Sequence, residues 1–471
     1  MPREVVTVQV GQCGNQIGLR FWELAVKEHA SLGEKSRFLP SMSTFFRNVD
    51  SRSGEEFKSE GVQISRLKAR AVLIDMEEGV VNASLKSPVG ELFDPATILT
   101  DVSGAGNNFA HGFSHYGNMY REQISDRVRK SIEVCDSPLS FFCAFSLGGG
   151  TGSGLGAFTL GVLDDLFPDI SRVVCPVLPS LSCESDVVTA PYNSALALAE
   201  IHRHSSCVFP VTNDALAALS ESLAKADVKG GSGGIGGGRK ASFDRMNAVV
   251  ARFWLDLTAS MRFDGSLNVD LSDITTNMIP YPDCKYIIPG LAPVTLASAD
   301  MRLQPRNFDQ LFTDVLSPAA QLVAGVDLRS PSTSLAHAFL VRGSASISEV
   351  TRNVERVRAS LSRPSYLYDA FKLGLCGAPP LGGTQSSSVL GLANSSAVTE
   401  MFTSVSCHFD RLFRRKAHVH HYLEYIEEDA LTAARASLSS VADAYAEPAG
   451  KVSHSKSWAN RALEFKPSIA A

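Results

Sequence analysis

The sequence predicts an α/β protein with a mostly parallel sheet, whose ligand lies across the carboxyl ends of the strands. Short apolar runs such as residues 5–10, 70–74 and 139–145 alternate with helical stretches. Glycine, amide or acidic side chains follow several of these runs directly. Ligands of open parallel sheets bind at that edge, so the loops after the strands are the predicted site.

The glycine loop at residues 146–154 is the strongest of these loops. It follows the apolar run 139–145 and precedes a predicted helix that begins near Leu155. Glycines let the backbone approach an anion, and the amino end of the next helix favours negative charge. Thr151 and Ser153 add hydroxyl donors. A flexible linker is the alternative, but it would not lie between a buried strand and a helix.

Two known phosphate motifs fit this loop poorly. A Walker A motif needs Gly-Lys-Ser/Thr, which does not follow here. Gly152, Gly154 and Ala157 match the dinucleotide fingerprint, but several strand-helix units come earlier and no acid is marked about 20 residues on. That match alone suggests a nicotinamide-dependent oxidoreductase, which would carry its cofactor's absorbance on purification.

Two other turns and one acidic pair belong to the same predicted edge. Residues 11–18 form a glycine turn that brings Gln12 and Gln16 near it, and residues 103–108 form a third small-residue turn. The strand 70–74 ends at Asp75, with Glu77 just beyond. Carboxylates at such a position hold Mg²⁺ through water, or they belong to a solvated turn. The sequence spacing leaves both interpretations open.

The pattern changes after residue 229. Residues 229–238 are almost entirely glycine and serine, which predicts a disordered surface insertion. A long apolar helix then runs from Ser242 to about Met261 and is predicted to join two domains. Further on we predict strands at 287–294, 336–341 and 388–392 and helices at 347–361 and 399–415, then a closing helical pair at 417–428 and 430–445 and a loose tail.

The composition is that of an ordinary globular protein and excludes several classes. Of 471 residues, 44% are hydrophobic and 20% charged, and the net charge of −5 argues against nucleic acid as a partner. The first residues lack the apolar region of a signal peptide, and no uncharged run is long enough to span a bilayer, so we expect no membrane partner. The nine scattered cysteines suit reduced thiols in the cytoplasm, and without a C-x-x-C pair a cysteine zinc site is not expected.

Five motifs in chain order resemble those of the tubulin family. They are residues 11–18, 104–108, 148–154, 191–194 and 262–268. The similarity extends to about Tyr445. Within the family, the epsilon class is the most similar, through residues 45–50, 67–82 and 416–422 and an insertion ahead of the central helix.

The resemblance implies a domain order and a function. The implied domains are a GTP-binding domain (1–242, with the insertion at 229–238), a central helix (243–262), an α+β intermediate domain (263–395), a C-terminal helical hairpin (396–447) and a tail (448–471). The implied function is that of a GTP-binding structural protein in the cytoplasm and cytoskeleton, at centrioles, centrosomes or basal bodies, which supports doublet and triplet microtubules. Implied partners are centriolar proteins and other tubulins, with delta-tubulin foremost and alpha- and beta-tubulin as further candidates.

A second function within the family is a polymerising GTPase subunit of ordinary microtubules. The glycine-rich insertion argues against it, as does the tail, in which Lys451, Lys456, Arg461 and Lys466 replace a run of glutamates. His418, His420 and His421 indicate either a metal or anionic partner or the polar face of the C-terminal helical region.

Site residues follow from the resemblance position by position. The glycine loop would wrap the phosphates of GTP or GDP, Ala105, Gly106 and Asn107 would sense the terminal phosphate, and Asp75 and Glu77 would lie near Mg²⁺. Asn213 and Asn247 would hydrogen-bond guanine, Phe243 would stack on it, and Ser146 and Asp186 would lie near the ribose. The full implied nucleotide set is Gln12, Cys13, Gln16, Ala105, Gly106, Asn107, Ser146, Gly148, Gly149, Gly150, Thr151, Gly152, Asp186, Asn213, Phe243 and Asn247.

Two positions qualify this picture. Ala190 stands where the major tubulins carry a ribose-binding glutamate, so nucleotide affinity is expected to be lower by about 1–3 kcal/mol unless Asp186 compensates. Asp270 and Asp273 keep the acidic spacing of the family loop that reaches the nucleotide of the next subunit. By that resemblance Asp273 orients a water for hydrolysis; alternatively it is a surface acid in a subunit that never polymerises alone.

Overall fold

The computed structural model describes residues 3–32, 40–50, 56–57, 66–180, 187–229, 239–263, 265–293, 308–328, 332–361, 370–381, 387–446 and 448. The predictions for Asp186, for residues 230–238 of the insertion and for most of the tail lie outside these ranges.

The strands of the described chain are as follows: β1 Glu4–Val10, β2 Phe46–Asn48, β3 Leu67–Ala69, β4 Ala71–Asp75, β5 Ile98–Thr100, β6 Pro138–Ser146, β7 Ser171–Leu178, β8 Cys207–Val208, β9 Val211–Thr212, β10 Ile288–Ala292, β11 Ser334–Gly343, β12 Phe371–Cys376 and β13 Ser387–Ser395. The helices are α1 Gly11–Leu32, α2 Glu78–Leu85, α3 Gly117–Glu133, α4 Gly156–Leu166, α5 Ala190–His204, α6 Asn213–Lys229, α7 Arg239–Leu257, α8 Ala259–Arg262, α9 Leu271–Met278, α10 Phe308–Asp314, α11 Ile347–Ser360, α12 Thr399–Phe413, α13 His420–Leu423 and α14 Glu428–Ala446.

The predicted parallel sheet is confirmed. Its strand order is β5-β4-β1-β6-β7-β8, with β9 also paired to β7, and every pairing is parallel. Side chains of β1 alternate between two cores: Val6 and Val8 belong to the core that contains residues of α3, α4 and α5, while Val5 belongs to the core with α1 and α7. Helices therefore cover both faces, as a doubly wound sheet requires.

Aromatic residues fasten the central helix to this sheet. The ring of Trp254 on α7 lies 4.8 Å from that of Phe142 on β6 and 5.6 Å from that of Phe21 on α1, both edge to face. The helix predicted to run unbroken to Met261 divides at Thr258, whose hydroxyl donates to the carbonyl of Trp254 (2.7 Å). A hydroxyl bonded back into the helix in this way bends helices elsewhere.

The second half of the chain forms a mixed sheet and a helical hairpin. The sheet order is β10-β13-β11-β12, in which only β11 and β12 are parallel. Strand β12 was not predicted. The hairpin helices α12 and α14 pack on each other and on α5.

The helix predicted at residues 417–428 is mostly wrong. Only α13 is helical there, because Lys416 and His418 have positive φ angles of 46° and 58°, which a right-handed helix excludes. The closing helical pair is therefore α12 with α14.

Among the described residues, every helix is too short or too polar to span a membrane.

A buried cluster of charged side chains joins the two halves of the chain. Glu28 on α1 accepts hydrogen bonds from Arg262 of α8 (2.6 Å) and Arg342 of β11 (2.7 Å), and Arg342 also reaches Asp256 of α7 (3.0 Å). All four side chains are at most 2% exposed. Burial alone would raise the pKa of Glu28, but the two guanidinium groups hold it below its ordinary value.

We predict that Glu28→Gln strongly destabilises the fold. The amide keeps the shape of the side chain but leaves two buried guanidinium groups short of a countercharge, which costs about 3–5 kcal/mol. Unfolding by urea, followed by tryptophan fluorescence, measures the loss. The control is Glu23→Gln, because Glu23 pairs with Arg20 at the partly exposed surface of the same helix and should cost about 0–1 kcal/mol. Equal losses in the two variants would contradict the prediction.

Candidate functional site

The strand order of the parallel sheet defines where a ligand can enter. Strands β4 and β5 lie on one side of β1 in the sheet, and β6, β7 and β8 lie on its other side. The loops after β1 and β6 therefore diverge, and the crevice between such loops is the usual ligand site of open α/β sheets. A cavity of about 870 Å³ lies there. That volume suits a ligand of the size of a nucleotide.

The structure brings the predicted cofactor- and metal-binding side chains together around this cavity. The exception is Asp186, which lies outside the described residues. The lining residues that were predicted are Gln12, Cys13, Gln16, Asp75, Glu77, Ala105, Gly106, Asn107, Ser146, Gly148, Gly149, Gly150, Thr151, Gly152, Asn213, Phe243 and Asn247.

Close backbone packing explains two of the glycines around the cavity. Gly11 has a φ of +72°, and a Cβ atom there would lie 3.1 Å from the amide nitrogen of Gly152. A Cβ on Gly150 would lie 2.6 Å from the amide nitrogen of Asn108. These contacts hold the loops after β1, β5 and β6 against one another. By contrast, a Cβ on Gly149 would meet nothing nearer than 3.6 Å, so this part of the backbone is open.

One predicted hydroxyl donor does not face the cavity. Ser153 is fully buried, and its hydroxyl donates to the carbonyl groups of Gly149 and Gly150 within the loop. Thr151 does line the cavity, and its Oγ1 accepts from the amide of Ala105 (3.3 Å). Ser153 therefore shapes the glycine loop, and of these two hydroxyl groups only that of Thr151 lines the cavity.

The acidic pair after β4 has the chemistry of a cation site. Burial raises the pKa of Asp75 to about 6, and the nearby Glu77 carboxylate adds to the rise. The Oδ1 atom of Asp75 accepts from the amide of Glu77 (3.4 Å), while its buried Oδ2 has no partner in the described chain. A buried carboxylate oxygen without a partner is costly, and a bound cation would satisfy it.

The charges of the lining favour an anion only if a cation comes with it. The described lining includes the carboxylates of Asp75, Glu77 and Asp244, and it includes no lysine or arginine. The described chain also contains no group of three metal-ligating side chains. Mg²⁺ is commonly held by one or two carboxylates plus water and substrate phosphates, so the residues present fit that ion.

The histidines near the C-terminal hairpin lie close together on the described chain. The rings of His418 and His421 stack 6.2 Å apart, and those of His420 and His421 lie 4.0 Å apart. Within the described residues these histidines belong to no group of three metal-ligating side chains, so an anionic partner and the polar face of the helical region remain the two alternatives.

The end of the cavity formed by α7 includes residues that the sequence analysis missed. Phe243 is 42% exposed, and Met246 and Asn247 follow it on the same face of α7. The helical spacing i, i+3, i+4 was the signal that could have found Met246. The other lining residues missed are Val10, Gly11, Ile17, Val177, Pro179, Val187, Leu216 and Asp244.

Two other positions matter for what the cavity can do. Burial raises the pKa of the Cys13 thiol to about 12, which favours its protonated form over the thiolate. Ala190 is fully buried at the start of α5 and does not line the cavity.

The predicted catalytic acids lie away from the cavity. Asp270 and Asp273 form a capping box at the start of α9: Asp270 accepts from the amide of Asp273 (2.7 Å), and Asp273 accepts from the amide of Asp270 (3.2 Å). Arg3 pairs with Asp270, and Lys372 lies 3.4 Å from Asp273. The Asp273 side chain is still 40% exposed. Within one chain, the structure does not bring these acids to the cavity.

Comparison with known proteins agrees with this fold. The sequence matches the GTPase domain of the Tubulin/FtsZ family over residues 4–221 and the tubulin C-terminal domain over residues 282–407. The chain therefore belongs to the tubulin family. Because it carries the family's GTPase domain, guanine-nucleotide binding is implied.

Individual relatives of the chain include tubulin epsilon chains and tubulin beta chains. A tubulin epsilon chain of Mus musculus is 44% identical over 462 residues, covering 94% of this chain and 95% of the relative. The tubulin epsilon chain of Homo sapiens is 43% identical over 457 residues, covering 93% and 95%. A tubulin beta-1 chain of Homo sapiens is 32% identical, covering 89% and 88%. The predicted resemblance to the family and to its epsilon class is thereby confirmed.

Proposed function

We propose that this chain is a GTP-binding structural protein of centrioles and basal bodies that supports the assembly of doublet and triplet microtubules. The observation that carries the nucleotide assignment is the cavity between the loops after β1 and β6, with an open glycine backbone at one end and two amide side chains at the other. The centriolar role is supported by the similarity to tubulin epsilon chains over most of the chain. The domain boundaries given above are part of this proposal.

Each part of the nucleotide has a proposed set of partners. The phosphates lie along the glycine loop from Gly148 to Gly152, with Gln12 and Cys13 on the same side, and the terminal phosphate faces residues 105–107. Ser146 and Asp186 approach the ribose. Asn213, Asn247 and Phe243 hold the guanine by its edge and by its face.

The metal is proposed to lie at the end of β4. Asp75 and Glu77 would hold Mg²⁺ through water, and the ion would neutralise part of the phosphate charge. The support is the unpartnered Oδ2 of Asp75 and the lack of a basic side chain in the described lining.

The nucleotide assignment is tested by the content and selectivity of the site. We expect purified, denatured protein to release GTP or GDP in near-stoichiometric amount. Asn213→Ala and Asn247→Ala should each weaken GTP binding about tenfold or more, since each leaves polar atoms of the base unpaired. The affinity of the same two variants for ATP should not fall by a similar factor. Fluorescent nucleotide titration measures both affinities.

The control for these amides is Asn118→Ala. Asn118 is exposed on α3, where its side chain donates only to the carbonyl of Ser114 (2.7 Å). An empty protein that binds neither nucleotide, or a loss in Asn118→Ala equal to that in the other variants, would overturn the assignment.

The metal assignment predicts a specific dependence on pH. Because the pKa of Asp75 is raised to about 6, the carboxylate is ionised at pH 7 and largely protonated at pH 5. Protons compete with metals for carboxylates, so Mg²⁺ affinity of the GTP complex should fall about tenfold between these pH values. Calorimetric titration of Mg²⁺ measures this.

Phosphate protonation contributes to the same pH dependence, so the comparison is between variants. Asp75→Asn should bind Mg²⁺ more weakly at pH 7 and lose the part of the pH dependence that belongs to Asp75. Asp165→Asn alters an exposed acid that pairs with Arg121 and should behave as the parent protein. Identical pH profiles for all three proteins would refute the role of Asp75.

The second candidate is a polymerising GTPase subunit of ordinary microtubules. The exposed Asp273 side chain favours it, because a longitudinal neighbour's nucleotide could meet this acid. In that case catalysis would consist of orienting a water in a site completed by two subunits. The hydrolytic roles of Asp270 and Asp273 therefore belong to the assembled state.

The two functions differ in what the protein assembles with. We expect it to bind delta-tubulin and to stay out of microtubules grown from alpha- and beta-tubulin, as judged by sedimentation and by GTP hydrolysis. Stoichiometric incorporation with hydrolysis that Asp273→Asn slows at least tenfold would favour the second candidate. Asp314→Asn is the matched control, since Asp314 lies at the end of α10.

A further inference from the structure

Asn193 is a buried side chain of α5 that the nucleotide assignment does not use. It is fully buried, and its amide makes hydrogen bonds in all four available directions. The Nδ2 atom donates to the carbonyls of Asn107 (2.8 Å) and Gly148 (2.9 Å). The Oδ1 atom accepts from the amide of Phe109 (2.9 Å) and the hydroxyl of Tyr422 (2.5 Å).

These four bonds join three segments that are distant in sequence. They are the loop at residues 105–109, the glycine loop after β6, and the C-terminal segment at residues 417–425. Further bonds connect the same segments. Thr189 donates to the carbonyl of Asn107 (3.0 Å), Asn108 donates to the carbonyl of His421 (2.9 Å), and Tyr192 donates to that of Ala417 (2.9 Å).

The loop at residues 105–107 is a thin wall with a cavity on either side. On one side it lines the nucleotide cavity. On the other it lines a second cavity of about 460 Å³, whose opposite wall includes His418, His421, Tyr422 and Tyr425. Gly106 and Asn107 have consecutive φ angles of +58° and +57°. Asn107 thus holds a conformation that is uncommon outside glycine, and its carbonyl is fixed by Asn193 and Thr189.

We propose that Asn193 is a positioning residue that couples the terminal-phosphate side of the nucleotide cavity to the C-terminal segment at residues 417–425. The inference rests on the proposed function, in which residues 105–107 contact the terminal phosphate. A shift of this wall toward or away from a phosphate changes the bonds that Asn107 and Phe109 make with Asn193. Asn193 stands on a helix packed in the core, so its remaining bond to Tyr422 carries the change to the C-terminal segment.

The coupling is reciprocal. If GTP and GDP place the C-terminal segment differently, then anything that frees this segment must change the ratio of GTP to GDP affinity by the same factor. A residue that only holds the loop in place would change both affinities equally and leave the ratio unaltered. The ratio therefore separates a positioning role from a purely structural one.

Tyr422→Phe is the first variant, because it removes one hydroxyl and keeps the ring in the core. Asn193→Asp is the second, because the substitution removes both N–H donors and places a carboxylate oxygen opposite the carbonyls of Asn107 and Gly148. The matched control is Tyr445→Phe. Tyr445 is another fully buried tyrosine of the C-terminal region, and its hydroxyl bonds only the backbone of Tyr286 at 2.9 and 3.1 Å.

Two measurements are made on the full chain with Mg²⁺ and with either GDP or a slowly hydrolysed GTP analogue. Hydrogen exchange of residues 417–425 should differ between the two nucleotides in the parent protein and in Tyr445→Phe, and the difference should vanish in Tyr422→Phe. The ratio of the two affinities should change about fivefold or more in Tyr422→Phe and in any Asn193→Asp that folds.

An unchanged affinity ratio in Tyr422→Phe, with exchange of residues 417–425 indifferent to the nucleotide in the parent protein, would overturn the coupling and leave the proposed function standing. A parent protein that binds neither nucleotide would instead overturn the proposed function, and this inference with it.

Discussion

The ion cluster of Glu28, Arg262, Arg342 and Asp256 is the constraint on which the arrangement of the two halves depends. Its members come from α1, α8, β11 and α7, and Glu28 bonds partners 234 and 314 positions away. Four buried charges tolerate little change in geometry, since a misplaced partner leaves a charge in a medium of low polarity. The cluster therefore fixes how the second sheet meets the helices that cover the first.

Helix α1 connects this cluster to the nucleotide cavity. It has 22 residues and is about 33 Å long at 1.5 Å per residue. Its first turns contribute Gln12, Cys13 and Gln16 to the cavity, and Glu28 lies near its other end. Gly14 lets this helix lie against β6, because a Cβ atom there would stand 2.2 Å from the carbonyl oxygen of Ala144. Helix α1 thus contributes residues both to the cavity and to the ion cluster at the junction of the two halves.

The sequence was most informative where local pattern and burial agree. The apolar strand predicted at residues 139–145 and the helix predicted from Ile347 match β6 and α11, and the loops after the parallel strands meet as the fold class requires. The gathering of predicted site residues at one edge follows from strand order, although their ligand roles stay a prediction.

Long-range or conformational effects account for what the sequence did not reveal. Strand β12 lies at the edge of its sheet and is only partly buried at its start, and the alternation of Phe371, Leu373 and Leu375 was a signal that the prediction missed. The prediction of a helix at residues 417–428 was wrong because Lys416 and His418 have left-handed backbone conformations, which helix propensity does not predict. Asn193 is one polar residue in an Ala/Leu-rich helix, and nothing local marks its four bonds to distant segments.

The acidic pair after β4 is in contact with the loop at residues 104–109. A Cβ atom on Gly104 would lie only 2.3 Å from the Oε1 atom of Glu77, so the carboxylate packs directly against this loop. A cation drawn to Asp75 and Glu77 would therefore act on the same loop that Asn193 holds from the opposite side. Because the described lining offers no basic side chain, the proposed cation would supply positive charge to the phosphates of the nucleotide. Under the proposed function, the loop at residues 104–109 would therefore respond to the nucleotide and the metal together.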